Sequence, residues 1–504
     1  MIELNNLTIR LISDERVIVS SLNFTLEAGD KCAIIGEEGN GKSTLLKLIY
    51  DKSLVQGYCE YEGVITHRSP RIGYLAQELG TELAGMRICD YFAEIEDYGL
   101  LAQALANFRL DFELIYSEKT MGQLSGGENV KLRLAKLLCE APGVLLLDEP
   151  TNDIDIRTLI WMEEFINGLK IPVLYVSHDE TLIENTANVI LHLEQVRKKT
   201  TPRHTIERVG YSEYVSKRLY LLGKQEQIAR KQKSEHRAKE ARWQQLFEKV
   251  QHQQSAISRQ DPAGGRLLKK KMKSIKSQEK RLDREAEDMV QLPDYEDAID
   301  FSFSSEVTIP KAKTVLDIAI DCLSIGDKAL SENVKLTVVG NSHIGIIGSN
   351  GVGKTTLLQL IWEQLAGRTD IKAGYMPQNY ANKLDETLTP VEFLYPRATK
   401  EDLTRARTTM GAVRFTHEEM EGKISALSGG QRAKLLFIDM ILKEYNVLVL
   451  DEPTRNFSPL SNPVIRSILR EYGGAIISVS HDRKYLDEVC DAVYELRADG
   501  LFLV

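Results

Sequence analysis

The chain has few of the features that mark a secreted, membrane-spanning or uniformly basic protein. Its six cysteines are scattered over 504 residues, and the closest pair, Cys32 and Cys59, is too far apart for a C-x-x-C zinc or iron–sulfur module. Scattered cysteines are typical of a reducing cytosol. No apolar run approaches the roughly 20 residues of a membrane span. The start of the chain lacks the basic and apolar regions of a signal peptide. We therefore expect a soluble, cytoplasmic protein.

Positive charge is outnumbered overall, because 64 Lys and Arg stand against 73 Asp and Glu and the formal net charge is -9. This excludes a surface that binds nucleic acid everywhere and leaves only a local patch. Such a patch lies mid-chain: residues 216–290 contain 20 Lys and Arg against 10 Asp and Glu. Within it, residues 254–280 contain eight basic and two acidic residues.

The chain contains an internal sequence repeat. GEEGNGKST at 36–44 matches GSNGVGKTT at 348–356, and LSGGE at 124–128 matches LSGGQ at 427–431. VLLLDEPT at 144–151 matches VLVLDEPT at 447–454, and VSHD occurs at 176–179 and 479–482. A short apolar strand precedes each glycine-rich loop and a helical pattern follows it, so each half is predicted to be an α/β domain.

The two glycine-rich loops fit G-x-x-x-x-G-K-[ST], which surrounds a phosphate with backbone N–H groups at a helix N-terminus. The lysine would reach the β- and γ-phosphates and the Ser or Thr would bind Mg²⁺. The residues predicted to bind nucleotide are Gly36, Glu37, Glu38, Gly39, Asn40, Gly41, Lys42, Ser43 and Thr44 in the first loop, and Gly348, Ser349, Asn350, Gly351, Val352, Gly353, Lys354, Thr355 and Thr356 in the second.

Acidic residues and a histidine follow apolar strands in each half. Asp148 and Asp451 end a strand, where an Asp would hold Mg²⁺. Glu149 and Glu452 come next and are predicted to polarise an attacking water. His178 and His481 are predicted to contact the γ-phosphate and that water. Alone, such a Glu would be a solvated loop residue and such a His a structural one, but the matched pairs favour catalysis.

The Ser-Gly-Gly motifs resemble the signature of the ATP-binding-cassette superfamily. The resemblance implies an ATPase that uses ATP and Mg²⁺, in which the signature of one cassette closes over the nucleotide of the other. Gly36–Thr44 would then face Ser428–Gln431, and Gly348–Thr356 would face Ser125–Glu128. The signature residues are Ser125, Gly126, Gly127 and Glu128, and Ser428, Gly429, Gly430 and Gln431. Gln77 and Gln378 match the Q-loop; with Ser43, Asp148, Thr355 and Asp451 they form the predicted metal set.

Three features depart from the cassette pattern. Ile12 and Ile325 stand where an aromatic residue usually stacks on adenine. The first signature ends in Glu128 rather than Gln. TRNFSPLS at 454–461 replaces the pattern that TNDID at 151–155 keeps with Asp155. The two sites are therefore expected to be inequivalent.

The basic middle region has helical periodicity. Leu268, Met272, Ile275, Leu282, Ala286 and Met289 form one stripe, and Trp243, Leu246, Phe247 and Val250 form another. We predict a hairpin whose first helix, about Ser216 to Gln254, is on the order of 55–60 Å long, with a turn at Pro262, Gly264 and Gly265. The predicted RNA-binding residues are Arg259, Arg266, Lys269, Lys270, Lys271, Lys273 and Lys276. A charged spacer is the alternative.

Tandem cassettes joined by such a hairpin resemble the ABC-F translation factors, and GYSEY at 210–214 resembles the family's lead-in to the linker. The expected domains are cassette 1 (1–215), linker (216–298, tip near 254–280) and cassette 2 (299–504). The resemblance implies a monomer, with no membrane or DNA partner, that binds the ribosomal exit site. Its hairpin tip would reach the P-site tRNA and 23S rRNA at the peptidyl-transferase centre, and ATP hydrolysis would release it.

The spacing from Gln77 to Leu124 leaves no room for a large inserted arm, and TRNFSPLS resembles resistance-type members. This favours a ribosome-protection factor that dislodges lincosamides, pleuromutilins and streptogramin A compounds. A housekeeping factor acting on stalled or initiating ribosomes, and the ATPase subunit of a membrane transporter, remain open alternatives.

Overall fold

The computed structural model describes residues 1–68, 71–196, 200–256, 262–290, 293, 302–326, 328–396 and 399–504. Residues Met1–Tyr211 and Glu296–Val504 form one compact unit, and Ser212–Tyr295 form another. Below, the two parts of the larger unit are called the first half and the second half. The expected domain boundaries at 215/216 and 298/299 remain predictions, and residues 298 and 299 lie outside the described ranges.

The first half consists of a mostly parallel sheet, an antiparallel sheet and flanking helices. Its strands are β1 (Ile2–Leu11), β2 (Val17–Leu26), β3 (Lys31–Ile35), β4 (Cys59–His67), β5 (Ile72–Leu75), β6 (Val144–Asp148), β7 (Val173–Val176), β8 (Val189–Gln195) and β9 (Thr201–Glu207). Its helices are α1 (Lys42–Tyr50), α2 (Thr81–Gly85), α3 (Ile88–Tyr91), α4 (Tyr98–Asn107), α5 (Gly126–Cys139), α6 (Ile156–Gly168) and α7 (Glu180–Thr186).

The strand order of the larger sheet is β5-β6-β7-β3-β8-β9, and β2-β1-β4 form the smaller sheet. All pairs of the larger sheet are parallel except β8 with β9. Strands β3 and β6 are buried along their whole length, as their continuous apolar sequences require in a covered parallel sheet.

The smaller unit is a helical hairpin formed by α8 (Tyr211–Ala256) and α9 (Pro262–Glu287). Helix α8 has 46 residues, which corresponds to about 69 Å, so it is longer than predicted. Helix α9 begins at Pro262, because a proline fits the first helical position. Gly264 and Gly265 therefore lie inside α9 and not in the predicted turn.

The hairpin seam is a small apolar core. Val250, Leu268 and Ile275 are buried there, with Trp243, Phe247 and Met272 packed against them. The indole Nε1–H of Trp243 donates to the Ile275 carbonyl at 3.0 Å. The predicted place of Leu246 in this seam is wrong, since its side chain is 49% exposed.

The second half repeats the design of the first. Its strands are β10 (Thr314–Ile325), β11 (Lys328–Val339), β12 (His343–Gly348), β13 (Ala373–Met376), β14 (Val447–Asp451), β15 (Ala475–Val479), β16 (Ala492–Arg497) and β17 (Gly500–Leu503). Its helices are α10 (Lys354–Ala366), α11 (Pro390–Leu394), α12 (Lys400–Ala412), α13 (His417–Glu421), α14 (Gly429–Leu442), α15 (Asn462–Arg470) and α16 (Arg483–Val489). The larger sheet has the order β13-β14-β15-β12-β16-β17, and β10 pairs with β11.

The helix after each glycine-rich loop is buried in its half. Leu45, Leu46 and Ile49 of α1 pack in one core with β1, β2 and the parallel strands. Leu357, Leu358 and Ile361 of α10 pack in the same way with β10, β11 and their sheet. This packing fixes each loop at the carboxyl ends of parallel strands, where ligands of open α/β sheets bind.

Candidate active site

The first phosphate loop (residues 36–44) joins β3 to α1, and the second (residues 348–356) joins β12 to α10. The helix-capping residues Gly41 and Gly353 have φ of 85° and 102°, a conformation that glycine adopts without strain. A Cβ on Gly41 would also lie 2.7 Å from the Ile18 side chain. The sharp turn needed to aim the loop amides inward therefore requires glycine.

Each loop folds around its own lysine. Lys42 Nζ donates to the carbonyls of Gly36 at 2.8 Å and Glu37 at 3.0 Å. Lys354 Nζ donates to the carbonyls of Gly348 at 2.9 Å and Ser349 at 3.1 Å. Both ammonium groups are buried and stand at a helix N-terminus, so each loop presents a fixed positive centre to an anion.

Each loop hydroxyl bonds to the aspartate at the end of a buried strand. Ser43 Oγ donates to Asp148 Oδ1 at 2.7 Å, and Thr355 bonds to Asp451. Burial raises the pKa of both aspartates. Asp451 Oδ2 is buried with no hydrogen-bond partner, which is costly unless a cation or water binds it.

These hydroxyl and carboxylate oxygens are the ligands that Mg²⁺ prefers. Within the described ranges no group of three or more His, Cys, Asp or Glu side chains is placed to hold a metal. A Mg²⁺ ion here would therefore complete its coordination with water and nucleotide phosphates, as Mg²⁺ commonly does.

Glu149 follows β6 with a φ of 48°, a sparsely populated conformation for a residue with a side chain. Its carboxylate accepts from Gln77 Nε2 at 2.8 Å and Asn152 Nδ2 at 2.6 Å, and it contacts His178 Nε2 at 3.2 Å. Burial opposes its charge, but the hydrogen bond and charge of His178, with Lys42, outweigh burial and lower its pKa to about 2.

Glu452 follows β14 with a φ of 55° but has a different environment. Burial, with repulsion from Asp451, raises its pKa to about 8. His481 lies 3.7 Å away, between Nε2 and Glu452 Oε1. Burial and the charge of Lys354 lower the pKa of His481 to about 4. Burial thus shifts the pKa of Glu452 upward, whereas hydrogen bonds and positive charge shift the pKa of the equivalent Glu149 downward.

The second phosphate loop faces the first signature (residues 124–128) across a cavity of about 470 Å³. Lining residues from the second half include Asn350, Lys354, Thr355, Gln378, Asp451, Glu452 and His481, and those from the first half include Gly126, Asp153 and His178. A second cavity, of about 150 Å³, has the first signature on one side, with Ser125, Gly127 and Glu128, and the second loop on the other, with Ser349 and Asn350. The two halves together therefore enclose this space.

The first phosphate loop contacts the second signature (residues 427–431) directly. Glu38 Oε2 accepts the backbone N–H of Gly430 at 2.8 Å. Glu37 Oε1 accepts from Ser461 Oγ at 2.7 Å. The sequence placed Glu37 and Glu38 in the loop but did not predict these contacts. The signal was present in two acidic residues inside an anion-binding loop.

Further bonds link the halves around the second loop. Asn350 Nδ2 donates to the Asp153 carbonyl at 2.5 Å, and Arg455 lies 3.0 Å from the Asp153 carboxylate. His178 Nδ1 lies 2.9 Å from the Phe457 carbonyl. Asp155, which the sequence singled out, caps α6 by accepting from the Thr158 N–H at 2.9 Å.

The signature serines cap α5 and α14. Glu128 Oε2 accepts from the N–H and hydroxyl of Ser125, at 2.9 and 2.6 Å. Gln431 Oε1 accepts from the Ser428 N–H at 2.8 Å. Both pairs form capping boxes. The unusual Glu128 therefore performs the same capping role as Gln431, with an added negative charge.

The remaining residues that the sequence singled out are two isoleucines and the basic residues of the hairpin. Ile12 and Ile325 are 51% and 60% exposed, and Ile325 lines the larger cavity. Six predicted RNA-binding residues are exposed on α9, namely Arg266, Lys269, Lys270, Lys271, Lys273 and Lys276. Arg259 lies outside the described residues.

A family model described as "ABC transporter" matches residues 19–152 and 331–455, about half of the chain. The chain belongs to the ABC transporter family. It is therefore an ATPase with two ATP-binding-cassette domains in tandem, and it binds ATP, as the motifs predicted. In the part of the chain that the structure describes, no helix has the length and apolar character needed to cross a bilayer.

Curated relatives of this ABC protein belong to the F group, as the resemblance indicated. This chain is 26% identical to ABC transporter F family member 2 of Arabidopsis thaliana, over 96% of this chain and 75% of the relative. It is 27% identical to the probable ATP-binding protein YheS of Escherichia coli, over 95% and 76%. It is 28% identical to the ribosome protection protein VmlR of Bacillus subtilis, over 97% and 85%.

A solved structure of an archaeal ribosome recycling factor, aABCE1, in complex with a ribosomal stalk protein has the same fold. Its TM-score is 0.61 at 17% identity, covering 99% of this chain and 89% of that one. The structure titled RNase-L Inhibitor is similar, with a TM-score of 0.57 at 16% identity, covering 98% and 89%.

Proposed function

We propose that this ATPase binds the ribosomal exit site and extends its hairpin towards the P-site tRNA and the 23S rRNA of the peptidyl-transferase centre. There it dislodges lincosamide, pleuromutilin and streptogramin A antibiotics, and ATP hydrolysis releases it. The protein acts in the cytoplasm as a monomer whose halves pair within one chain. A relative of nearly the same extent is named a ribosome protection protein, which supports this proposal.

The observation that carries the proposal is the basic face of α9. The same helix buries Leu268 and Ile275 in the seam with α8. Its six basic side chains are exposed, so their charges face solvent rather than α8. Concentrated positive charge on a long helical element suits a phosphate backbone. A spacer would have no need for such an excess.

The apolar residues near the tip divide into two kinds. Leu268 and Met272 pack in the hairpin core, whereas Leu267 is 59% exposed. Among the three, Leu267 is therefore the one exposed to contact a drug or RNA, and the other two stabilise the hairpin.

In the ATPase cycle we assign Glu149 and Glu452 as the bases that polarise water, with His178 and His481 beside them. Mg²⁺ is held by Ser43, Asp148 and Gln77 at one site and by Thr355, Asp451 and Gln378 at the other. The orphaned oxygen of Asp451 supports a cation at the second site.

The test is ribosome co-sedimentation with ATP of the double variant Glu149→Gln and Glu452→Gln, which removes both proposed bases and should trap the ATP-bound state. We expect ATP-dependent binding that weakens when Arg266, Lys269, Lys270 and Lys271 are changed to Ala. The matched control changes four exposed cations of α8, Lys231, Lys233, Arg237 and Arg242, and should weaken binding less. If the double variant does not bind ribosomes although the parent protein hydrolyses ATP, the proposal is contradicted.

A drug-rescue translation assay separates the two ribosomal functions. Restored protein synthesis in the presence of a lincosamide or pleuromutilin supports ribosome protection. Ribosome binding without rescue by any of the three drug classes would favour the housekeeping alternative, action on stalled or initiating ribosomes.

A further inference from the structure

The two phosphate loops differ most at the positions after their first glycine. The first loop has Glu37 and Glu38 where the second has Ser349 and Asn350. The Glu38 side chain reaches the second signature, where Oε2 accepts the Gly430 N–H at 2.8 Å. A Cβ added to Gly429 would lie 3.0 Å from the same oxygen. The carboxylate therefore lies against the first turn of α14.

An anion at this place is chemically expected, but from a different source. The N-terminal amides of a helix attract negative charge, and in a closed composite site the terminal phosphate of the nucleotide would supply it. Gln431 N already bonds to Ser428 Oγ at 3.3 Å. Glu38 thus uses the first-turn amide of Gly430 that a γ-phosphate would otherwise use.

Glu37 anchors the loop in this arrangement. Its Oε1 accepts from Ser461 Oγ at 2.7 Å and from Ser458 Oγ at 3.3 Å, and Oε2 lies 3.8 Å from Lys434 Nζ. Ser458, Ser461 and Lys434 are buried. Both serines belong to TRNFSPLS, so this unusual segment of the second half binds the acidic loop of the first half.

The second phosphate loop has no carboxylate at the position that corresponds to Glu38. Asn350, the counterpart of Glu38, is neutral and donates to the Asp153 carbonyl at 2.5 Å. The cavity of about 150 Å³ lies between Ser349, Asn350 and the first signature. The second loop therefore leaves room for a phosphate where the first loop places a carboxylate.

We propose that Glu38 replaces a γ-phosphate at the second signature and makes the first composite site selective for a nucleoside diphosphate over a triphosphate. A γ-phosphate would place negative charge beside the Glu38 carboxylate and would compete for the same amide, whereas a diphosphate ends before this point. The inference rests on the proposed pairing of each loop with the opposite signature.

The test measures nucleotide affinity at the first site of the full-length protein with Mg²⁺. Lys354→Ala weakens nucleotide binding at the second loop, so that the remaining signal reports the first loop. The double variant Lys42→Ala and Lys354→Ala weakens binding at both loops and gives the background signal. Fluorescent ADP and a fluorescent non-hydrolysable ATP analogue are titrated into each. We expect ADP to bind at least about tenfold more tightly than the ATP analogue, a difference of about 1.4 kcal/mol.

Variants of Glu38 separate charge from structure. Glu38→Gln keeps an acceptor for the Gly430 N–H but removes the charge, so we expect the preference for ADP to fall about tenfold. Glu38→Asp keeps the charge and should keep the preference. The matched control Glu60→Gln, at an exposed position of β4, should leave the affinity ratio unchanged. Thermal unfolding midpoints verify that each variant is folded.

Two failures are distinguishable. Equal affinities for both nucleotides, unaltered by Glu38→Gln, would overturn the role of Glu38 and leave the nucleotide site intact. No signal above the background with either nucleotide would overturn the proposed nucleotide site at the first loop, and the present inference with it.

Discussion

Among single residues, the two carboxyl groups predicted to act as bases differ most in their surroundings. Glu149 is ionised and bonded to three side chains, whereas Glu452 has a pKa of about 8 and lines the larger cavity. The Glu149 site also faces the signature that Glu38 occupies. Because Glu38 takes the signature amide that a γ-phosphate would use at the first site, we expect most triphosphate turnover at the second loop.

We expect Glu452→Gln to lower the steady-state ATPase kcat by about 100-fold or more and Glu149→Gln by about tenfold or less. The reason is that hydrolysis requires a γ-phosphate, which the second site accepts more readily. Comparing both single variants at saturating ATP measures this directly. Equal losses would indicate that both sites hydrolyse ATP to the same extent.

A second residue-level effect concerns Asp179, which caps α7 by accepting the Leu182 N–H at 2.6 Å. Burial, together with Asp482 and Glu163, outweighs the favourable Leu182 N–H and the charge of Arg483 and raises the pKa of Asp179 to about 6. The folded protein thus binds a proton more tightly than the unfolded chain. The contribution of protonated Asp179 to the free energy of unfolding is complete below the ordinary pKa near 4 and is lost as the pH rises through about 6.

Asp179→Asn removes this loss while keeping a good helix cap. We expect the variant to exceed the parent in free energy of unfolding by about 1–3 kcal/mol at pH 7 and to match it at pH 4. Denaturant unfolding at both pH values is the measurement. Asp97→Asn, the same change at the exposed cap of α4, serves as the control. A constant difference at both pH values would contradict the titration.

At the scale of elements, the sequence predicted those helices, strands and loops whose formation depends on residues adjacent in the chain. The strand–loop–helix units around Lys42 and Lys354 follow from apolar strands, glycines and helix formers that are adjacent in the chain. The hairpin seam followed from spacing, but Leu246 was placed wrongly. Positions 243, 247 and 250 have the spacing of a narrow two-helix seam, and Leu246 lies one position outside it.

The resemblance implied that the first phosphate loop faces the second signature, but the individual contacts between these distant segments were beyond the sequence. Glu38 and Gly430 are far apart in the chain, and no local pattern specifies which side chain an exposed helix N-terminus will receive. TRNFSPLS was recognisable as a departure, yet its binding to Glu37 depends on how the two halves pack. That packing arises from many long-range contacts rather than from one motif.

The hairpin seam offers an element-level prediction, because Ile275 is 7% exposed and lies in a core to which the described residues contribute six apolar side chains. Ile275→Ala should destabilise the hairpin by about 2–4 kcal/mol, since so small a core cannot refill the cavity. Hydrogen exchange of peptides from α8 and α9 should accelerate accordingly. Lys276→Ala, its exposed neighbour, should change exchange little; equal acceleration in both would mean that helix propensity alone determines hairpin stability.

In the whole molecule, complementary charge joins the two halves away from the phosphate loops. Helices α6 and α7 contribute Glu163, Glu180 and Glu184, and helices α15 and α16 contribute Arg466, Arg483 and Lys484. Each acidic residue comes from the first half and each basic one from the second. At two matching positions of the repeat, 163/466 and 180/483, the two halves carry opposite charges, which favours pairing of unlike halves within one chain.

Arg466 is the most buried member of this cluster, with its side chain 3% exposed. Its guanidinium donates to Glu180 at 2.8 Å and to Glu488 at 2.9 Å. Arg466→Met would leave both carboxylates short of a partner, so we expect a loss of about 2–4 kcal/mol, larger than an exposed pair gives. Denaturant unfolding measures the loss, and hydrogen exchange of residues 180–186 locates it at the junction of the halves.

A double-mutant cycle decides whether this loss belongs to the cross-half pair. Arg466→Met leaves the Glu180 carboxylate with Lys484 as its remaining basic partner. Combining it with Glu180→Gln removes that under-compensated charge, so the double variant should recover at least about 1 kcal/mol relative to additivity. The control pair Arg407→Met and Glu421→Gln breaks an ion pair on the surface of the second half and should couple by less. Strict additivity at Arg466 and Glu180 would mean that apolar packing, and not charge, holds the halves together.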